Sequence, residues 1–358
     1  MLNIIVSFDY ELFLGENYDT PKRILFEPTE NLMNLLEKYN VSSTFFADVC
    51  SIFAHKKYNL FEYVDDFSNQ LINIKKRGHD VQLHLHPNWY YSIYDGDKWI
   101  FDTLHYTLHK FPLKESSNEK LTMGNIIKEG VKYLNELLLP IDQSYRVNTF
   151  RAGGYSMQPH SSLIKHLREE GIIIDSSVCA NLFSNSKTLS YDYRKIPKTI
   201  NWWLTPNYPF LYCGKKNDGG VYEIPLLSEK NSIFRKLFLP GYDKKFRTSS
   251  LKGSYISLGE KQKNENSIFK KIKNYKSSYA LVSFDSMPSD RMIHYLLSME
   301  KKYKNKDLYI SIICHPKLVD DGVLSNMENI FSSLCNNSNI KFCNFQDVVD
   351  KINKGIIH

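Results

Sequence analysis

Leu2-Asn3-Ile4-Ile5-Val6-Ser7-Phe8, running straight into Asp9-Tyr10-Glu11, is the stretch whose reading decides the fold. A near-continuous apolar run of this kind predicts a strand buried on both faces, as in parallel sheets covered by helices. Residues i and i+2 of a strand share a face, so Asp9 and Glu11 point one way and Tyr10 the other. Acids at strand ends are common turn formers. They also suit a metal and a base held side by side, and chemistry in parallel barrels gathers where the strands end.

Outward from this run, the chain alternates. Further strands are expected at 42–47, 80–85, 146–150, 171–174, 220–224, 279–284, 308–314 and 340–343. Helices are expected at 28–39, 59–76, within 118–139, and at 159–170, 289–302, 322–334 and 344–354. Strands alternating with helices imply parallel βα units, hence an α/β fold. No internal repeat is visible. One barrel domain over 1–358, with insertions, fits a chain of 358 residues better than two domains.

The polar residues of interest all follow strands. Asp9 and Glu11 end the first, His84 and His86 the 80–85 strand, Arg151 the 146–150 strand, Asp175 the 171–174 strand and His315 the 308–314 strand. Each alone reads as a turn or cap residue. Together they form an argument, because a (β/α) barrel brings these ends to one face.

His84 and His86 share a strand face, with Leu83 and Leu85 opposite, so both imidazoles can reach one ion beside Glu11 or Asp9. Two histidines and a carboxylate suit Zn²⁺ or a similar divalent metal with open positions. His79 begins the same strand at the opposite rim and reads as structural. Cys314 and His315 are strand neighbours facing opposite ways, which argues against a Cys-His nucleophile.

Composition excludes some classes. A hydrophobic fraction of 42% and an aromatic fraction of 14% fit an ordinary globular enzyme. The six cysteines form no Cys-x-x-Cys pair, so neither a zinc ribbon nor a redox motif is expected. No leader with a basic start and apolar centre opens the chain, and no run is long enough to span a bilayer, so a cytoplasmic protein is expected. Segment 230–276 carries 13 Lys and Arg against 3 Asp and Glu, which leaves −3 for the remainder of a chain at +7. It reads as a basic loop or insertion. It is either a solvated excursion or a contact for phosphate, on anionic lipid at the inner membrane face or on a phosphorylated sugar carrier. No nucleic-acid module surrounds it.

The set Ser7-Phe8-Asp9-Tyr10-Glu11, Gly78-His79-Asp80-Val81-Gln82-Leu83-His84-Leu85-His86-Pro87, Phe150-Arg151-Ala152-Gly153-Gly154-Tyr155, Asp175-Ser176-Ser177 and Cys314-His315-Pro316-Lys317 resembles the polysaccharide deacetylase family, the NodB-homology carbohydrate esterases. The motifs occur in the family's order and span residues 7 to 317. The resemblance implies a distorted (β/α)7 TIM-like barrel and metal-dependent removal of an N- or O-acetyl group from a sugar. The substrate would be linked to nucleotide, lipid pyrophosphate or polymer. The lack of a leader is similar to the subgroup acting inside the cell in surface-polysaccharide (O-antigen or capsule) biosynthesis.

The resemblance also implies roles. Asp9 matches the general base, His315 the general acid, and Arg151 the arginine that holds the base carboxylate; Asp175 is the acid expected to orient His315. Many relatives carry a metal-ligating acid where this chain has Tyr10, which moves that role to Glu11. The usual His-x-x-x-His pair begins at His84 but ends on Asn88, so either His86 or Asn88 completes a site for Zn²⁺, with Co²⁺, Ni²⁺ or Mn²⁺ as alternatives. Gly153 and Gly154 replace a proline and an aromatic, and a backbone N–H near Gly154 or Tyr155 is the expected oxyanion donor. Trp89 and Trp202, with Trp99 and Trp203, are candidate sugar-stacking faces. Two other readings remain. A barrel glycosidase with two carboxylates would use Asp285 as its second acid. A glycan-binding protein without catalysis is suggested by Tyr10 and Asn88.

Overall fold

A computed structural model of the chain describes residues 1–117, 120–197, 200–231, 246–255, 279–304 and 306–357. Most of the basic 230–276 segment lies outside these residues; its described stretch 246–255 bonds to the loop after β1 through Lys252 and Ser254 and to Asp285 through Arg247.

Seven strands run parallel around a curled sheet: β1 (Leu2–Tyr10), β2 (Thr44–Asp48), β3 (Asp80–Leu85), β4 (Thr149–Ala152), β5 (Ile174–Asp175), β6 (Val221–Glu223) and β7 (Leu308–Cys314). They are hydrogen-bonded in the order β6-β5-β4-β3-β2-β1-β7. The chain leaving β6 closes the ring by laying Leu226 between Cys179, just past β5, and Ser311 of β7. That last seam is made of isolated parallel bridges, Leu226 to Ser311 and Ser283 to Ile313, instead of a ladder, which is the distortion of this (β/α)7 barrel. An eighth parallel strand, β8 (Ile340–Cys343), pairs with Leu2–Ile5 of β1 on the side where β2 takes Ser7–Tyr10. An antiparallel edge strand, Trp202–Leu204, extends the sheet beyond β6 and has no counterpart in the expected pattern.

Helices α1 (Glu27–Lys38), α2 (Cys50–Lys57), α3 (Phe61–Lys76), α4 (Met123–Leu138), α5 (His160–Glu169), α6 (Ser289–Lys302), α7 (Asp321–Leu334) and α8 (Phe345–Asn353) connect the strands. α2 is unexpected, because its buried residues do not follow one helical stripe. Local signals set several helix starts. Thr122, Asp320 and Asn344 accept backbone N–H groups at the starts of α4, α7 and α8.

All nine residues of β1 are buried, as a strand covered on both faces requires. Ile4, Val6, Phe8 and Tyr10 face the helical layer, and Tyr10 Oη donates to Gln70 Oε1 of α3 at 2.5 Å. Ile5 faces inward and meets Phe46, Ile174, Tyr222 and Tyr309 from four other barrel strands. Phe345, Val348, Val349 and Ile352 of α8 complete this apolar floor. Side-chain and backbone bonds from residues 344–346 to Ser42, Thr44 and Asn148, all at or just before strand starts, seat α8 across the N-terminal mouth of the barrel. The opposite, C-terminal end is where β1 delivers Asp9 and Glu11.

Candidate active site

Moving up the barrel interior from the apolar floor, the next layer is built around Arg151. The side chain is fully buried, with its guanidinium carbon 4.0 Å from the centre of the Phe46 ring. Nη2 donates to the hydroxyls of Ser7, Ser176 and Ser311 at 2.9, 3.1 and 3.2 Å, and Nε to the Ser176 carbonyl at 2.9 Å. Nη1 donates to Asp9 Oδ1 at 2.6 Å. A buried charge needs a partner and a full set of hydrogen bonds, and this layer supplies both. It also fixes Asp9 in one pose. Oδ2 is left free of Arg151, 3.9 Å from His84 Nε2 and 3.9 Å from His315 Nε2.

One layer higher, Glu11, His84 and His86 converge, their ligand atoms all within 4.8 Å of one another. Glu11 Oε2 lies 3.3 Å from His84 Nε2 and 2.8 Å from His86 Nε2. His84 Nδ1 donates to the Arg151 carbonyl at 2.8 Å, which leaves Nε2 as its inward-facing nitrogen. His86 is held through its backbone N–H, which donates to Asp48 Oδ1 at 3.0 Å. Asp48 Oδ2 accepts from Trp89 Nε1 at 2.8 Å, so one buried carboxylate clamps the turn after β3. Asn88, the other expected candidate, is fully buried, and its Oδ1 has no hydrogen-bond partner among the described residues. Its amide nitrogen donates to the Asp102 carbonyl at 3.3 Å.

Glu11 Oε1 has its own cation. Lys317 Nζ donates to it at 2.7 Å and to the Leu12 carbonyl at 3.0 Å, with only 2% of the lysine side chain exposed. Burial would raise the Glu11 carboxyl, but Lys317 and the two histidines outweigh that and hold it well below its ordinary value. Burial likewise opposes charge on His84, yet Asp9 and Glu11 push that imidazole up to about 9. The polar floor of the pocket thus draws positive charge towards Glu11 and Asp9. Two imidazole nitrogens and one carboxylate oxygen facing a common point fit a divalent metal of the Zn²⁺ type.

His315, directly after β7, is oriented by Asp285. Asp285 Oδ2 accepts from both the His315 backbone N–H, at 2.8 Å, and Nδ1, at 2.9 Å. Ser283 donates to the other oxygen at 2.7 Å. Asp285 arrives there because Ser283 bridges to Ile313 of β7, which carries the next residues to the strand's end. Asp175 does not have this role. It is buried at the end of β5, where it accepts from the Ser177 hydroxyl at 2.6 Å and lies beside Glu223. Burial first, then Asp175, pushes the Glu223 carboxyl well above its ordinary value.

The turn after β4 has little room. A Cβ on Gly153 would overlap the Leu85 carbonyl and His86 Nδ1, and one on Gly154 would lie 2.7 Å from Tyr106. Gly154 and Tyr155 both have φ of +61°, in the left-handed region that favours glycine. Such a conformation costs Tyr155 about 1–3 kcal/mol and persists only where the surroundings enforce it. Tyr193 Oη supplies one such restraint by donating to the Tyr155 carbonyl at 2.6 Å.

The tryptophan expectation needs correction. Trp89 is fully buried against Trp99 and Phe101, and Trp202 is 3% exposed within the main core. Trp203 packs in the apolar floor cluster. Neither Trp89 nor Trp202 has a face to offer a sugar. Three contributors escaped the sequence reading: Lys317, Asp48 and Asp285 as the partner of His315. Lys317 had a signal, since it lies two residues beyond His315 in a quoted motif. Asp285 had one too, as the lone extra strand-end acid.

No family model matches the chain, and no curated protein matches it in sequence. Solved structures do share its fold. One, assigned as a polysaccharide deacetylase from Pseudomonas aeruginosa PAO1, superimposes with a TM-score of 0.50 at 12% identity over 99% of this chain and 91% of that one. Another, described as a glycoside hydrolase/deacetylase from Parabacteroides distasonis, gives 0.51 at 10% identity, covering 99% of this chain and 71% of that one. A GH57-type branching enzyme from Pyrococcus horikoshii gives 0.50 at 10% identity, covering 98% and 70%. At these identities the likeness is one of fold. The expected distorted (β/α)7 barrel is the fold this chain has.

Proposed function

We propose that the chain is a metal-dependent hydrolase that removes an acetyl group, N-linked in the leading form, from a sugar used in surface-polysaccharide synthesis. The observation that carries this reading is the position of Asp9 Oδ2, 3.9 Å from His315 Nε2 on one side and 3.9 Å from His84 Nε2 on the other. A base lying between a metal-type group and an acid is what amide hydrolysis requires. A divalent ion on Glu11, His84 and His86, Zn²⁺ being the first choice, would polarise the acetyl carbonyl and acidify water. Asp9 would take the proton of the attacking water through Oδ2, while Arg151 keeps Oδ1 fixed. Backbone N–H groups at Gly154 and Tyr155 would receive the developing oxyanion. His315, held as imidazolium by Asp285, would protonate the departing sugar nitrogen, so that acetate and a free amine result.

The glycosidase reading loses support from Asp285, whose oxygens are engaged by His315 and Ser283. The decisive measurement is acetate release from acetamido-sugars, free and carrier-linked, with Zn²⁺ or Co²⁺ added. Asp9→Asn is expected to lower the rate by about 10²–10⁴-fold, the usual loss for a missing general base. A chelator is expected to abolish it and added metal to restore it. Bound metal with no acetate from any acetamido-sugar would instead favour a glycan-binding protein.

A further inference from the structure

Trp89 and Trp202 are packed away, yet one aromatic ring beside the catalytic layer is open. It belongs to Tyr255, at the end of the described stretch 246–255 of the basic segment. That stretch lies flat on the loop after β1. Tyr18 N–H donates to the Lys252 carbonyl at 2.9 Å, Gly15 N–H to that of Ser254 at 3.1 Å, and Ser254 N–H to the Glu16 carbonyl at 2.8 Å. Asn17 and Gly253 form an antiparallel bridge. Two glycines permit the approach: a Cβ on Gly15 would overlap the Ser254 carbonyl, and one on Gly253 the Phe13 ring. The other end is pinned as well. Arg247 donates from Nε to the Asp285 carbonyl at 3.1 Å, and the Thr248 and Ser249 N–H groups donate to Asp320 Oδ2 at 2.9 and 2.8 Å.

This anchoring sets the Tyr255 ring next to the metal-type group. Lys317 Nζ, which donates to Glu11 Oε1 at 2.7 Å, lies over the Tyr255 ring, 5.6 Å from its centre. Phe13 meets the ring in a T-shaped contact with centroids 5.7 Å apart. Burial first, then the charges of Asp285 and Glu11, raises the phenol, so the acid behind His315 and the acid of the metal-type group both reach it. With these contacts made, Tyr255 is still 55% exposed, whereas Phe13 and Lys317 are buried. A ring already fixed by its surroundings loses little entropy when a second flat surface covers its open side.

We propose that Tyr255 is a specificity-determining residue of this site, the stacking face for the pyranose unit whose acetyl group enters the pocket. The apolar face of a sugar ring suits an aromatic one. Because the acetyl group hangs from the same unit, seating that unit on Tyr255 fixes how far the group reaches towards Glu11, His84 and His86. The basic segment thereby supplies the sugar face that neither Trp89 nor Trp202 can offer. This inference rests on the deacetylase reading, and its test reads binding.

Calorimetry on the full chain with Zn²⁺, in an Asp9→Asn background where turnover is blocked, would titrate the N-acetylglucosamine tetramer and UDP-N-acetylglucosamine. Tyr255→Ala is expected to weaken the tighter of the two about fivefold to tenfold, and Tyr255→Phe, which keeps the ring, by less than about twofold. Zn²⁺ affinity should be the same in all three chains, because Lys317 and not Tyr255 holds Glu11. Four results overturn the assignment: no weakening by Tyr255→Ala, equal weakening by Tyr255→Phe, a fall in Zn²⁺ affinity alongside that for the sugar, or no binding of either sugar. Ring-dependent binding as expected, without acetate release from any acetamido-sugar by the chain that keeps Asp9, retains the stacking role and removes the deacetylase reading.

Discussion

Asp285 Oδ2 accepts from His315 twice, through the backbone and through Nδ1. Burial alone would favour the neutral ring, but the Asp285 bond and charge, with Asp9 beyond, outweigh it and raise the imidazole pKa. A general acid works while protonated, so activity should persist above the usual imidazole range and fall as pH rises through the raised value. Asp285→Asn removes the charge and lowers that value. The alkaline limb of kcat/KM should therefore move to lower pH, with a loss of about 10- to 100-fold at neutral pH. An unmoved limb would mean that His315 is not the acid. Lys317 poses a separate question. Removing one partner of a buried ion pair costs about 3–5 kcal/mol, so Lys317→Met should lower the melting temperature of the metal-free protein clearly. Added Zn²⁺ should recover more of that loss than it adds to the native chain. Identical melts in the metal-free state would show that Glu11 does not depend on this lysine.

At the scale of elements, the turn 153–155 is the tightest constraint around the site. Its glycine at 153 lies where any side chain would strike β3's last carbonyl and the His86 ring. Gly153→Ala should cost about 1–3 kcal/mol through overpacking and displace His86. Metal titration should then show affinity down by about tenfold or more, with a fold still intact by circular dichroism; unchanged affinity would remove His86 from the ligand set. The elements also explain what the sequence made legible. β1, β3 and β7 read clearly because a strand buried on both faces is apolar throughout, and the acids and histidines at their ends interrupt that pattern. α2 was missed because Cys50, Ile52 and Ala54 bury several sides of a short helix. The Trp202–Leu204 edge strand was missed because its apolar run lies within irregular aromatic sequence.

For the whole molecule, chain order predicted the ring from β1 to β5 but not its last seam. Neighbours there come from Leu226, separated from β7 by the long basic stretch, and from Ser283 beyond that stretch; each makes one isolated bridge to β7, so the expected strands at 220–224 and 279–284 do not by themselves announce how the ring closes. That is why Asp175 was given a role that belongs to Asp285: both end strands, and only the closure decides which one meets His315. The metal-type group was legible because all its members obey strand alternation from two well-marked strands. Exposure was not legible. Trp89 and Trp202 carry the residue type that stacks on sugars, yet tertiary packing hides both.

α8 seals the barrel behind Ile5, Phe46 and Tyr309, so the polar interior has a dead end. Everything that takes part in a reaction at Asp9 then shares one doorway. In the proposed reaction, water would arrive and acetate would leave past whatever sugar occupied the rim. A long glycan lying across that rim would obstruct its own by-product, which makes departure of the small acid a step capable of limiting turnover.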